Sequence, residues 1–369
     1  MKIKCIFVRY FVVMPSSMKN IKIAFLTLIA FAFSDNAFSQ TGAHNVYEFL
    51  NLTNSSRQAA LGGNLLAVDD GDISLVLANP VLINEDISKH LLLNYVDYFS
   101  DVNFGFVTYA HNFEKLGTFA ASLQYVNYGK FLEADETGET YGEFTAGDYA
   151  LSIGWGRQLH PNYRIGANVK TIYSSLYQYS SLGMAVDVGG GWFFPDNKFS
   201  GALMFRNIGR QIKSYVPGNN EPLPFEVQLA MYKRLQHVPI GFHLLFHNLQ
   251  KWDLTYNDPN VLPDVDPFTG EIIAPSKVED IANKLMHHVV VGMELSPSKS
   301  FSVRLGYNYH RRQEMIVDSK LSTVGFSWGF GFRVSKFHLS YARSAYHLAG
   351  SPNVITLTTN ISDLFDGGQ

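Results

Sequence analysis

The sequence predicts an all-β protein, a 14-stranded antiparallel transmembrane barrel of the outer-membrane kind. Three observations carry that prediction. Apolar residues alternate with small or polar ones, with period two, along segment after segment from about residue 90 onward. These segments number fourteen, an even count, as bacterial single-chain barrels have. Their connections alternate between tight turns and, for the most part, long polar loops.

The alternation is clearest at residues 145–170. Tyr149, Leu151, Ile153 and Trp155 alternate with Ala150, Ser152, Gly154 and Gly156. After a His160-Pro161-Asn162 turn, Ile165, Ala167 and Val169 alternate with Arg164, Gly166, Asn168 and Lys170. Period two places one set on each face of a strand. Charge on a lipid face costs about 2–4 kcal/mol near the midplane. Arg164, Lys170, Arg206 and Arg304 are therefore expected inside the barrel or at its rim. Further along, Val289, Val291, Met293 and Leu295 oppose Gly292 and Glu294, and Phe301, Val303, Leu305 and Tyr307 oppose Arg304 and Asn308. Val324, Phe326, Trp328, Phe330 and Phe332 oppose Thr323, Gly325 and Ser327.

The first seven strands are expected at 91–98, 103–113, 118–129, 145–158, 163–176, 181–194 and 199–209. The other seven are expected at 225–235, 240–256, 285–296, 301–309, 319–334, 336–346 and 353–363. Most reach the roughly 9–11 residues that a tilted crossing needs. Tight turns fall at 114–117, 160–162, 195–198, 236–239, 297–300 and near Ser335, and the long connections 130–144, 210–224 and 257–284 fall between them. Shorter connections near 99–102 and 177–180 occupy the same alternating slot. Long loops thus gather at one end and tight turns at the other, the asymmetry of outer-membrane barrels.

Before the strands come two different regions. Lys19 and Lys22, an apolar run at 23–33 and the small-x-small site Ala37-Phe38-Ser39 read as a secretory signal over residues 1–39, with Met18 a better start than Met1. The apolar run has 11 residues, well short of the roughly 20 that a spanning helix needs. Residues 40–88 form a distinct N-terminal segment, and the strands occupy 89–369. Within that segment residues 44–51 suggest a short helix, and Asp69 and Asp70 precede an apolar stretch broken by Asn79-Pro80. Pro80 disfavours helix there and argues against a central strand.

The single cysteine, Cys5, lies in the signal. Disulfides and thiol chemistry are thereby excluded from the mature chain. Removing residues 1–39 leaves 24 basic and 31 acidic side chains, a net charge of −7. That balance argues against nucleic acid as a partner. Charged residues make up 17%, below the roughly 25% of soluble domains, as an outer-membrane lipid environment demands.

No cofactor or metal site is expected. His287 and His288, with His310 and the Arg311-Arg312 pair, suggest an ion site, but adjacent strand residues point to opposite faces. Rim histidines are the plainer reading. Asp258, Asp264 and Asp266 lack the spacing of a calcium loop, and the acidic loop reads as solvated. The one Gly-x-Ser-x-Gly match, at 325–329, lies within an alternating strand and makes no strand-to-helix elbow, and no His-Glu-x-x-His motif is present, so nothing points to catalysis.

Several runs nevertheless match a known family. Asn-Val-Tyr-Glu-Phe-Leu-Asn at 45–51, Ala-Ala-Leu-Gly-Gly at 59–63 and Asn79-Pro80 resemble the PorQ family, as do 128–138, 142–151, 221–229 and 249–256. That family belongs to the type IX secretion system of the Bacteroidetes and is similar to PorV and FadL-type barrels. The resemblance covers nearly the whole mature chain and implies surface attachment, with a PorZ-like protein as partner beside other type IX components. It also implies that residues 40–88 plug the lumen, with Asp69 and Asp70 pairing to lumen Arg or Lys and Asn79-Pro80 part of the plug. The loops would then meet the partner, with Phe131, Leu132, Tyr141, Tyr215 and Phe268 as candidate anchors, since aromatic residues dominate interface hot spots. A FadL-like transporter of hydrophobic molecules is the alternative reading, and an outer-membrane hydrolase a more distant third.

Overall fold

A computed structural model describes residues 45–255, 276–316, 322–346 and 350–365. The signal at 1–39, Phe268 and the acidic residues Asp258, Asp264 and Asp266 lie outside these residues. Fourteen strands close into one antiparallel barrel, each paired with its sequence neighbours and the first with the last. They are β1 His90–Asp97, β2 Asn103–Phe113, β3 Gly117–Ala134, β4 Thr140–His160, β5 Tyr163–Leu176, β6 Tyr179–Phe194 and β7 Phe199–Lys213. Then follow β8 Glu226–Arg234, β9 Ile240–Phe246, β10 Val289–Ser298, β11 Phe301–Asn308, β12 Phe326–Val334, β13 Phe337–Ser344 and β14 Asn353–Asn360. Closure is an unbroken ladder from His90↔Asn360 to Asp97↔Asn353.

Alternation sets the two faces. Ile153 is 53% exposed on the outside, whereas Ala150 is 1% exposed inside. The outward face is apolar, as a closed barrel in lipid requires. Lys170, Arg206 and Arg304 are buried inside the barrel, and Arg164 also turns inward to meet Asp69.

Four expected strands prove too long. Residues 247–255 leave the wall after β9, and 285–287 belong to a helix, α2 (Lys277–His287). Ser276 and Glu279 form its capping box, with Ser276 Oγ accepting from Glu279 N at 3.3 Å. Val278, Ile281 and Leu285 in this helix follow helical spacing, which a two-residue period misreads over a short run. Residues 322–325 precede β12 without joining it, and α3 (Tyr309–Met315) follows β11 directly. The chain beyond β14 turns into a short helix, Ile361–Phe365.

The N-terminal residues 45–88 lie within the ring of strands. Their first helix, α1 (Ser56–Ala60), starts at Ser55, whose side chain accepts from Gln58 N, and ends at Gly62 with φ 87°. Only glycine adopts that left-handed cap freely. Pro80 opens a single 3-10 turn, Pro80–Leu82, with Asn79 Oδ1 accepting from Val81 N at 2.9 Å. This corrects the expectation that Pro80 disfavours helix: proline suits the first helical position, where its missing N–H is not needed. Residues 48–51 form another 3-10 turn.

The segment runs down the barrel. Val46 N donates to Pro222 O in the long β7–β8 loop, while Lys89 N donates to Ala110 O near the tight-turn end. Two apolar clusters line it, one around Phe49, Ile73 and Phe106 and one around Leu65, Leu75 and Met204. Each such side chain contributes about 1.5–3 kcal/mol on burial. The glycines of the wall leave room for it. A Cβ at Gly166 would collide with the backbone of Pro80 and Val81, and one at Gly306 with the backbone of Leu61 and Gly62.

Candidate functional site

Two places concentrate chemistry: the filled interior and the rim at the long-loop end. Inside, Arg57 is the hub. It is the only basic residue between 45 and 88, among Glu48, Asp69, Asp70, Asp72, Glu85 and Asp86. Its guanidinium meets Asp70 at 2.7 Å, Asp72 at 2.9 Å and Glu294 of β10 at 2.7 Å. Glu294 also accepts from Arg304 Nε at 2.8 Å. A buried carboxylate of this kind needs its cations, because removing one partner strands a charge in low dielectric. Sequence reading passed over Arg57, although a lone cation in an acidic stretch is itself a pairing signal.

The remaining interior ties are polar. Asp69 meets Arg164 of β5 at 2.7 Å, whereas Asp70 pairs with Arg57 of its own segment. Asn79 is fully buried and donates to Leu66 O at 2.5 Å. Lys170 pairs with Asp187 at 2.7 Å and donates to Asn207 Oδ1 at 2.8 Å. Wall side chains reach the segment's backbone: Gln124 Nε2 donates to Phe49 O at 2.6 Å, Asn168 Nδ2 to Leu77 O at 3.2 Å and Ser344 Oγ to Ala59 O at 3.0 Å. Backbone carbonyls buried in a barrel must be satisfied somewhere, and the wall satisfies these.

At the long-loop rim, β3 and β4 keep pairing past the other strands, from Lys130↔Thr145 to Ala134↔Thr140, after a register shift beside Gly129. The long polar stretch 130–144 suggests a loop, but the two strands continue through most of it after the shift. Phe131 stacks on Phe144 at 5.2 Å, and Phe144 contacts Tyr177 at 4.8 Å. Tyr177 donates to Glu133, tying the β5–β6 turn to the hairpin. At the tip Asp135 accepts from Thr137 N at 2.9 Å, Glu139 N at 3.0 Å and Tyr141 Oη at 2.7 Å. The Thr137 and Tyr141 hydroxyls hold its carboxyl down at about 2. This hydrogen-bonded tip leaves Leu132 and Tyr141 each 67% exposed and Phe131 42% exposed.

Tyr215 differs from these three. It is half-buried, donates to Ser174 Oγ at 2.5 Å and packs on the interior cluster. It belongs to a network in which Tyr128 donates to Asp148 Oδ2 at 2.6 Å and Ser174 to Asp148 Oδ1. Its ring packs at the mouth of the barrel, less exposed than the other three candidate anchors.

The histidines gather where α2 and α3 meet. His287 and His288 sit at the end of a helix, not on a strand as the sequence suggested. They still diverge: His287 Nδ1 lies 3.1 Å from His310 Nδ1, while the His288 ring nitrogens face the carbonyls of His247 and Trp252 at 2.8 and 3.1 Å. Burial, reinforced by neighbouring positive groups, pushes His310 down to about 4 and His247 to about 3. Among the described residues no group of three or more His, Asp or Glu is placed to hold a metal ion.

No family model matches the chain, and no curated protein is significantly similar to it. Solved structures are. The Pseudomonas putida toluene transporter TodX shares 12% identity, covering 84% of this chain and 97% of its own, at a TM-score of 0.50. The monoaromatic hydrocarbon channel CymD (11%, 84% and 98%, TM-score 0.47) and a Pseudomonas aeruginosa FadL homologue (13%, 84% and 98%, TM-score 0.44) lie further off. At 12% identity TodX establishes a shared fold and nothing finer.

Proposed function

We propose that this chain is an outer-membrane barrel plugged by residues 45–88, whose work is done at the long-loop rim as a docking platform for a surface protein. The observation that carries the reading is the β3–β4 hairpin, which holds Phe131, Leu132 and Tyr141 in solvent on a hydrogen-bonded tip. Apolar side chains on a hydrogen-bonded support bind with little ordering cost. The exposed apolar face of α2, with Val278, Ile281 and Leu285, adds to the same rim. The sequence resemblance makes the partner a PorZ-like component of the type IX attachment machinery. Affinity purification from detergent-solubilised outer membrane, with wild type beside Leu132→Glu, is the test. A stoichiometric partner lost in the variant supports docking, and a barrel that purifies alone sinks it.

Passage of hydrophobic molecules is a second reading, and the fold shared with TodX speaks more directly for it than for docking. The apolar clusters between segment and wall offer a surface that such a molecule would follow if the segment shifted. The check is uptake of labelled toluene by proteoliposomes holding the whole chain. Uptake no faster than in protein-free vesicles removes this reading.

A further inference from the structure

The tight-turn end carries a feature that neither reading uses. A cavity of about 720 Å³ opens there, between the N-terminal segment and the ends of β8, β10, β11 and β12. It has the size of a small-molecule site, yet its chemistry is ionic. The Arg57 and Arg304 guanidiniums on its inner wall are balanced by Asp70, Asp72 and Glu294. Arg234, Lys299 and Arg333 line its mouth, and among the described residues none of these three has an ion-pair partner. With five cations against three carboxylates, the lining carries a net charge of +2.

Arg304 is the informative residue. It is 3% exposed, and Glu294 takes only its Nε. Nη1 is buried without an acceptor, and no described residue accepts from Nη2. A buried guanidinium with idle donors costs free energy that an oxyanion would recover, since the planar fork matches carboxylate and phosphate oxygens. Gly331 flanks it, and a Cβ there would stand 2.9 Å from Nη1 and 3.1 Å from Ser302 Oγ. That glycine keeps the approach open, and Ser300 and Ser302 add hydroxyl donors on the lining.

We propose that this cavity binds a small oxyanion-bearing solute, a phosphate or a carboxylate, at the tight-turn end, which in an outer-membrane barrel faces the periplasm. The solute would sit between Arg304 at the back and Arg234 and Arg333 at the mouth. Such a site is independent of what the opposite rim docks.

Calorimetric titration of the detergent-purified full chain with inorganic phosphate, and separately with succinate, tests this. One saturable site for at least one of the two is expected, weakened at least tenfold in the Arg234→Gln/Arg333→Gln double variant. Those two arginines are exposed and unpaired, so the double variant should fold even where Arg304→Gln fails to. Lys213→Gln, near the long-loop end, should bind as wild type does. Stronger phosphate binding assigns a phosphate source, and stronger succinate binding a carboxylate. Binding of neither anion, or equal binding in the double variant, overturns the proposal.

Discussion

Arg57 of the N-terminal segment and Glu294 of β10 meet at 2.7 Å, and the same carboxylate holds Arg304. One residue of the wall thus answers to two arginines, one of which arrives from a different part of the chain. Arg57→Ala should cost about 3–5 kcal/mol, because it leaves Asp72 and Glu294 under-compensated in a buried site. A lower thermal midpoint in detergent checks this, with faster proteolysis within residues 45–88. In a double-mutant cycle with Glu294→Gln the two changes should be clearly non-additive; simple additivity would show that the pair is not coupled.

Gly166→Ala and Gly306→Ala should each destabilise by about 1–3 kcal/mol through overpacking, because a Cβ meets the segment's backbone at both sites. Gly142→Ala is the control. Its Cβ would meet only Glu133 Oε2, at 3.7 Å, so its denaturation midpoint should not move.

Leu132→Glu is expected to leave thermal stability within about 0.5 kcal/mol of wild type, as exposed substitutions usually do, while partner recovery falls. Loss of stability and of binding together would point to misfolding of the hairpin and not to a lost contact.

Acid should loosen the α2–α3 contact before it loosens the barrel. A histidine depressed in the folded state stays neutral while the unfolded chain takes up a proton, so stability is complete above the ordinary value near 6.5. For His310 it declines as pH falls toward about 4. Hydrogen exchange at residues 280–287 and 309–315 should therefore accelerate between those limits. His310→Gln should flatten the dependence, and an unchanged profile in that variant would remove the histidine explanation.

How much of this was legible in the sequence depends on the element. β2 and β5 fall at 103–113 and 163–176, as their alternation predicts, because each is a continuous two-faced strand between turn residues. β3 and β4 ran longer than expected because their pairing continues past the register shift near Gly129 into the polar stretch 130–144. The α2 helix was misread in part because Leu285 and Met286 continue into the apolar start of β10. The exposed positions of Phe131, Leu132 and Tyr141 do not follow from residue type alone, as the half-buried Tyr215 shows. Arg57 found its partners 13 to 237 residues away, and no local pattern records a separation of that kind.

The β1–β14 ladder imposes an order of assembly. Among the described strands it is the one pairing between strands that are not consecutive, and it encircles a stretch of chain continuous with β1 itself. Threading residues 45–88 through a finished ring would drag buried ion pairs past apolar walls. The stretch must instead be in place while the sheet is still an open ribbon, with the last hairpin acting as the clasp. A chain lacking residues 350–369 should accumulate as that open ribbon, with 45–88 accessible to protease. Full protection of those residues in the truncated chain would show that closure is not what retains them.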